Sequence, residues 1–422
     1  MPQAVDVFRN ALPIPVRFQR DMVEPLLEVL NAKEINSETR KLVSDFLRYY
    51  VPAHKNSGWI ASRHELETGY RLVPLILSLH ATKALKGLNE GSNLLNAIPK
   101  LTPEMKTLLV NAGIMQSKGK LTALGARVLQ RGPGPFGIIH AYVPYMQVLA
   151  DRLSGQSTKT WVQRGKNIAA SQDANRKTFE MANDTYDRFC KDHNLQCSVF
   201  IEHALGQGEA TRQRLERSGE ENIQYFGADL EDAAIDKAEE LQRKRILPKN
   251  MIFIRKADIA NPNIVIDAVR AAGFSTENAV MFVGNGFHEV RSQTNQKIVD
   301  VFRKYCSAGI IVIFTEESAL NDYDLLHTGW NTYHAGFRYV HELSGQGLRP
   351  VFGTDHYGRH SWKICAALGG FALLSKYSVH TRTIYPFPKH GGYNPPISMT
   401  YFCVPASLAQ NLGYFPRSWS QT

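Results

Sequence analysis

The sequence predicts an α/β protein: a parallel sheet closed by an antiparallel hairpin, preceded by a mainly helical domain with a winged-helix pattern. Three observations predict it. From about Leu195 onward, short β-rich apolar runs alternate with amphipathic stretches, the pattern of a parallel sheet with helices on both faces. Before that point, apolar residues recur at helical spacing in MVEPLLEVL, RKLVSDFLRYYV and LETGYRLVPLILSLHATKAL. Near the carboxyl end, LSKYSVHTRTIYP and PPISMTYFCVPASL read as two strands joined by KHGGYN, which makes the closing hairpin.

At 422 residues the chain has room for more than one core. We expect a helical, winged-helix domain over residues 1–160, a linker helix over 161–194 and a ligand-binding sheet domain over 195–422. In the first of these, Thr102-Pro103-Glu104 starts a helix with a capping threonine and a first-turn proline. Gly113 ends it, and IMQSKGKLTAL turns at Ser117-Lys118-Gly119 as a small hairpin. Then GPGPFG breaks the chain before IIHAYVPYMQVLADRL.

Composition excludes several classes. With 43% hydrophobic and 21% charged residues, the chain is neither disordered nor fibrous. A net charge of +10 suits an acidic partner, yet the longest basic run is Arg243-Lys244-Arg245. We expect no nucleic-acid partner, because the helix from Thr102 to Gly113 offers a groove only Lys106. The most apolar stretch, Leu72 to Leu85, is too short to span a bilayer and is interrupted by His80 and Lys83. The amino terminus carries Asp6, Arg9, Arg17, Arg20 and Asp21 and so lacks the core of a secretory signal. Five cysteines without CxxC spacing read as free thiols in a reducing compartment. The expectation is a cytoplasmic protein with no membrane partner.

The candidate site follows from the strand ends, where ligands bind in such sheets. The first strand ends in EHALGQG, where Gly206 and Gly208 allow close backbone approach and Ala204 stands where a first glycine is usual. Glu202 closes that strand, Asp229 the second and Asp258 the third. Asp229 suits the two hydroxyls of a ribose, and Asp258 the exocyclic amine of an adenine. Glu202 favours a cationic ligand over a diphosphate, which argues against a nicotinamide cofactor.

On these motifs the chain resembles the class I S-adenosylmethionine-dependent methyltransferases, whose sheet is Rossmann-like. EHALGQG is similar to the family's first motif, GADLEDAAIDKA to its ribose-binding second strand and KADIAN to its adenine-binding third. FVGNGFHEV is similar to the fourth-strand motif facing the methyl group, and the amino-terminal half resembles the winged-helix dimerisation domain of small-molecule methyltransferases. The resemblance implies S-adenosyl-L-methionine held by Glu202, Gly206, Gly208, Asp229, Leu230, Asp258, Ile259 and Asn285. It implies catalysis at His288 and Glu289, a small-molecule substrate and a homodimer.

The segment Glu316 to Pro350 covers the acceptor in that family, which implies substrate contacts from Glu317, Trp330, His334 and Arg338. His327, His334 and His341 follow one another at seven-residue spacing and fit one face of a helix as a metal site, a proton relay or packing. A branch that methylates α-keto acids is similar in having two histidines around a metal. It implies a divalent or ferric ion on His288 and His341 as a Lewis acid. Its 2-ketoarginine-like substrate would find acids at Glu316, Glu317, Asp322 and Asp324, and Arg338 or Arg349 for its carboxylate. Two other readings stand beside this one: methylation of an oxygen, a nitrogen or a protein side chain with His288 as base, and a non-catalytic winged-helix regulator that senses a nucleoside.

Overall fold

The computed structural model describes residues 2–11, 15–18, 20–32, 34–48, 61–131, 133–154, 168–319, 325–326, 328–343, 345–355, 357–381 and 398–414. The loop KHGGYN, Asp322, Asp324 and His327 lie outside them. The chain divides into two compact units. One contains the residues up to Ala174 and the described part of 320–344. The other holds 175–319, 345–381 and 398–414.

The first unit is helical. Its central helix, Arg63–Ala81, opens with a reciprocal cap: the Ser62 side chain accepts from Glu65 N, and Glu65 accepts from Ser62 N. Helix Pro103–Asn111 starts at Thr102, whose hydroxyl accepts from Met105 N. The hairpin expected after it forms as an antiparallel bridge between Met115 and Leu121, and Asn93 bridges to Lys120 beside it. The expected break at GPGPFG is instead the start of a helix, Pro133–Met146, because proline is tolerated in a first turn.

The domain division differs from the sequence expectation. Leu325, Leu326, Trp330, Tyr333, Ala335 and Val340 are buried in the same core as Leu72, Val73 and Ile76 of the central helix. Ala61 N donates to Leu326 O at 2.7 Å. A segment that follows the sheet strands in sequence is therefore claimed by the helical unit, since its apolar side chains find their burial there.

The second unit is an eight-stranded sheet. Its strands are β1 (Val199–His203), β2 (Gln224–Ala228), β3 (Ile252–Ile254), β4 (Val280–Gly284), β5 (Ile311–Glu317), β6 (Phe371–Leu373), β7 (Val379–Thr381) and β8 (Ser398–Pro405). The order is β3-β2-β1-β4-β5-β8-β6, with β7 also paired to β8. Strands β1 to β5 are mutually parallel, and β8 runs antiparallel to β5, β6 and β7. The expected closing hairpin is present as β7 with β8. The first strand expected for it is divided by a turn, and β6 lies just upstream.

Strand residues alternate between two cores. Val199, Ile201, Met281, Val283, Val312 and Phe314 enter one, and Phe200, Val280, Phe282, Ile311 and Ile313 the other. That period of two puts a covered core on each face, which is why these strands read as continuous apolar runs. The strand order reverses between β1 and β4, so a ligand crevice is expected at their carboxyl ends.

Candidate active site

The turn after β1 is held by its own strands. Ala204, Gly206 and Gly208 have φ of 58°, 54° and 78°, a left-handed region that costs an alanine about 1–2 kcal/mol and glycine little. Leu205 N donates to Ala228 O at 3.1 Å, and Gly206 N donates to Asp229 Oδ2 at 3.0 Å. These bonds clamp the turn onto the end of β2. Gly208 leads into the helix Glu209–Ser218, and a side chain there would meet Leu247 at 2.9 Å.

Glu202 does not face a ligand as the sequence reading expects. Its side chain is buried and accepts from Ala210 N at 3.2 Å, Thr211 N at 2.7 Å and Thr211 Oγ1 at 2.6 Å. The unpaired N–H groups at that helix start are its partners. Burial pushes its carboxyl up to about 7 against those donors. Its role is to anchor the helix behind the turn.

Asp229 Oδ1 accepts from Glu231 N at 2.9 Å. Each of its oxygens keeps a further lone pair for a ligand. Leu230 beside it is 48% exposed, an apolar surface at the strand end. Asp258 is exposed and accepts from Ala260 N at 2.8 Å, while Ile259 is buried. A Cβ built on Gly286 would stand 3.2 Å from both Ala204 Cβ and Ile259 Cδ1, so the ends of β1, β3 and β4 meet there.

His203 braces the same edge. Its Nε2 donates to Ala257 O at 3.0 Å, so its Nδ1 accepts from the Tyr305 hydroxyl at 3.2 Å. Burial lowers its proton affinity and keeps it neutral. Sequence reasoning missed this histidine because its partners come from distant elements.

At the end of β4, Asn285 has φ of 54° and donates its backbone N–H to Thr315 O at 2.8 Å. Its side-chain Nδ2 donates to Asn175 Oδ1 at 3.1 Å, and its buried Oδ1 has no partner among the described residues. Just beyond it, His288 Nδ1 donates to Glu316 Oε2 at 2.7 Å. Glu316 Oε1 accepts from Phe287 N at 2.5 Å and from His288 N at 3.3 Å. On the other side of the ring, Glu289 Oε1 stands 3.5 Å from His288 Nε2. Gln346 Nε2 donates to Glu289 Oε1 at 2.6 Å, and Gly347 N donates to His288 O at 2.9 Å. Burial opposes charge on this ring, but Glu316 and Glu289 outweigh it and raise His288 to about 10.

The structure thus makes Glu316 the partner of His288, which corrects its expected role against a guanidinium. A fully buried carboxylate bonded to His288 and two backbone N–H groups is not open to a substrate cation. Only the alternation of β5, in IFTEE, hinted that one of the two glutamates points inward. Glu317, the other, ends β5 opposite Ser398. Arg349 is also spoken for: it donates to Gln293, Asn295, His360 O and Thr294 O at 2.8 to 3.1 Å.

The remaining expected substrate contacts belong to the helical unit. Trp330 is buried and donates Nε1 to Ala112 O at 3.0 Å. His334 Nε2 donates to Gly69 O at 2.8 Å, and burial lowers this histidine to about 4. Both therefore hold their own unit together. Arg338 and His341 are buried on the helix Phe337–Leu343, which is separated at Gly336 from the helix Asn331–Ala335 that carries His334. The expected continuous histidine face is interrupted there.

The expected metal does not fit. His288 has Nδ1 bonded to Glu316 and Nε2 3.5 Å from Glu289 Oε1, so both ring nitrogens already face carboxylates. Among the described residues, no group of three or more His, Cys, Asp and Glu is placed to hold one, at His341 or elsewhere. Among the same residues, no helix is long and apolar enough to cross a membrane.

The sheet order, with its antiparallel β8 inserted beside β5, defines a Rossmann-like sheet of the methyltransferase type. No protein-family model and no curated protein sequence matches the chain. Among solved structures, the CurJ carbon methyltransferase is similar at 14% identity and TM-score 0.40, over 96% of this chain and 99% of that one. The citrinin polyketide synthase CMeT domain is similar at 13% and 0.41, over 96% and 97%. An O-methyltransferase family protein from Burkholderia thailandensis is similar at 15% and 0.41, over 81% and 97%. At these scores the likenesses assign nothing to this chain.

Proposed function

We propose that this chain is an S-adenosylmethionine-dependent methyltransferase whose small polar acceptor is deprotonated by the His288–Glu316 pair. The observation that carries the reading is one edge of one sheet: the left-handed turn 204–208 clamped to Asp229, with His288 on Glu316 two strands away. Asp229 accepts from ribose hydroxyls, Asp258 from the adenine amine, and Leu230 and Ile259 supply the apolar wall. Asn285 Oδ1 offers an acceptor for the ammonium group. When bound, S-adenosylmethionine supplies an electrophilic methyl group on a sulfonium cation.

His288 performs the proton transfer. Glu316 fixes its ring through Nδ1, and Glu289 beside Nε2 gives the resting proton a way out. His288 holds that proton less tightly once a cation is bound nearby. The neutral ring then takes a proton from the acceptor at Nε2, leaving an electron pair on the acceptor for the new bond to carbon. A base of such strength suits a carbon acid, and an α-keto acid is the acceptor class we favour. Methylation of oxygen or nitrogen would use the same base. The helical unit, with its bridge-closed hairpin, is the winged-helix dimerisation element in this reading.

The test is calorimetric titration of S-adenosylmethionine into Asp229→Ala. Loss of a charge-assisted contact predicts binding weakened by about 10- to 100-fold. Unchanged affinity overturns the ribose assignment.

A further inference from the structure

We propose that Tyr401 is a positioning residue for the His288–Glu316 pair, its hydroxyl donating to Glu316 Oε2 across one internal water. The inference rests on the reading of His288 and Glu316 as the proton-transfer pair.

Strand register places the two groups together. In the β5–β8 ladder Phe314 pairs with Tyr401, and Glu316 pairs with Met399. Opposed residues share a face, as do residues two apart on one strand, so Tyr401 lies diagonal to Glu316 on the same face. The phenol ring stacks on Phe314 with centroids 4.8 Å apart and planes 25° apart, which fixes its direction. Tyr401 is buried, yet its hydroxyl has no hydrogen-bond partner among the described residues. A buried hydroxyl left so costs about 1–3 kcal/mol, a standing reason to seek an acceptor.

The acceptor is Glu316. Oε1 already takes two backbone N–H groups, whereas Oε2 has only His288 Nδ1, and a carboxylate oxygen accepts two bonds. Besides burial, the negative charge of Glu316 raises the proton affinity of the Tyr401 phenol, so the two interact across this face. A second buried donor without a described partner, Trp362 Nε1, flanks the same Phe314 ring, with centroids 6.4 Å apart. Among the described residues, the charged groups beside the pair include Glu289 from the turn after β4 and Arg291, whose Nη2 is 3.9 Å from Glu289 Oε2. Tyr401 is the hydroxyl that β8 contributes.

A donor to Glu316 stabilises the pair most when it has lost its proton and carries a net negative charge. Tyr401→Phe keeps the ring and removes that donor. The titration of His288, followed by NMR of its ring in the ligand-free full chain and assigned by its loss in His288→Gln, then moves up by about half to one pH unit. The acid limb of kcat/KM moves with it. Tyr225→Phe removes a buried hydroxyl on the other face of the sheet, one that donates to Gly219 O at 2.7 Å, and leaves the midpoint where it was. An unmoved midpoint in Tyr401→Phe, or an equal shift in Tyr225→Phe, overturns the proposal. Because the titration needs no turnover, a shifted midpoint in a protein without methyl transfer would remove the functional reading alone. An unshifted midpoint in an active one would remove only the role of Tyr401.

Discussion

At the scale of single residues, the proposed proton transfer rests on His288. Two carboxylates around a buried ring raise it from an ordinary 6.5 to about 10, so the ligand-free protein holds it as an imidazolium at neutral pH. A base must be unprotonated, so kcat/KM is expected to climb about tenfold per pH unit from 7 toward 9. The limb in kcat should lie lower, because a bound cation disfavours the proton. A flat profile across that range would exclude His288 as the base. The same shift has a consequence for stability. A histidine raised in the folded state stabilises fully below about pH 6.5, and that contribution is lost as pH rises through about 10. His288→Gln should therefore flatten the fall in thermal midpoint over that interval, as followed by circular dichroism.

At the scale of elements, the helix Glu209–Ser218 and the turn before it form one device. Glu202 reaches from the end of β1 into the helix start and collects three donors. Burial raises its carboxyl to about 7, so its contribution is greatest below about pH 4.5 and declines as pH rises through 7. Thr211→Val removes the hydroxyl that helps hold the anion. The expected loss is about 1.5–3 kcal/mol at pH 8 and less at pH 5, where the carboxyl is protonated. Denaturant unfolding at the two pH values measures it, and an equal loss at both would contradict the assignment. A glycine fingerprint with an alanine at position 204 is legible as a ligand turn in the sequence. That its acid serves the helix is not, because the competing donors are backbone groups with no sequence signature.

At the scale of the molecule, two compact units divide the chain in a way the chain order hides. Segment 325–343 joins the helical unit through Trp330, Tyr333 and Val340. Trp330→Ala should cost that unit about 3–5 kcal/mol. Scanning calorimetry should then show a lowered transition for the helical unit while the sheet unit keeps its own. A single transition lowered throughout would mean the two units unfold as one.

The sheet, its strand limits and the acids at its edge were legible because they depend on local pattern: apolar runs, helical spacing and turn glycines. Asp229, Asp258 and the turn at 204–208 follow from that pattern, whereas His288 is singled out by the resemblance of FVGNGFHEV to a methyltransferase motif. The pairing of His288 with Glu316, residues 28 apart in sequence, and the diagonal approach of Tyr401 were decided only by the fold. Strand order and antiparallel register bring distant residues onto one face, and no local spacing encodes which distant side chains will meet. For the same reason Trp330 and His334 read as ligand contacts in sequence and are packing residues in the structure. Burial, set by the whole core, chose between those roles.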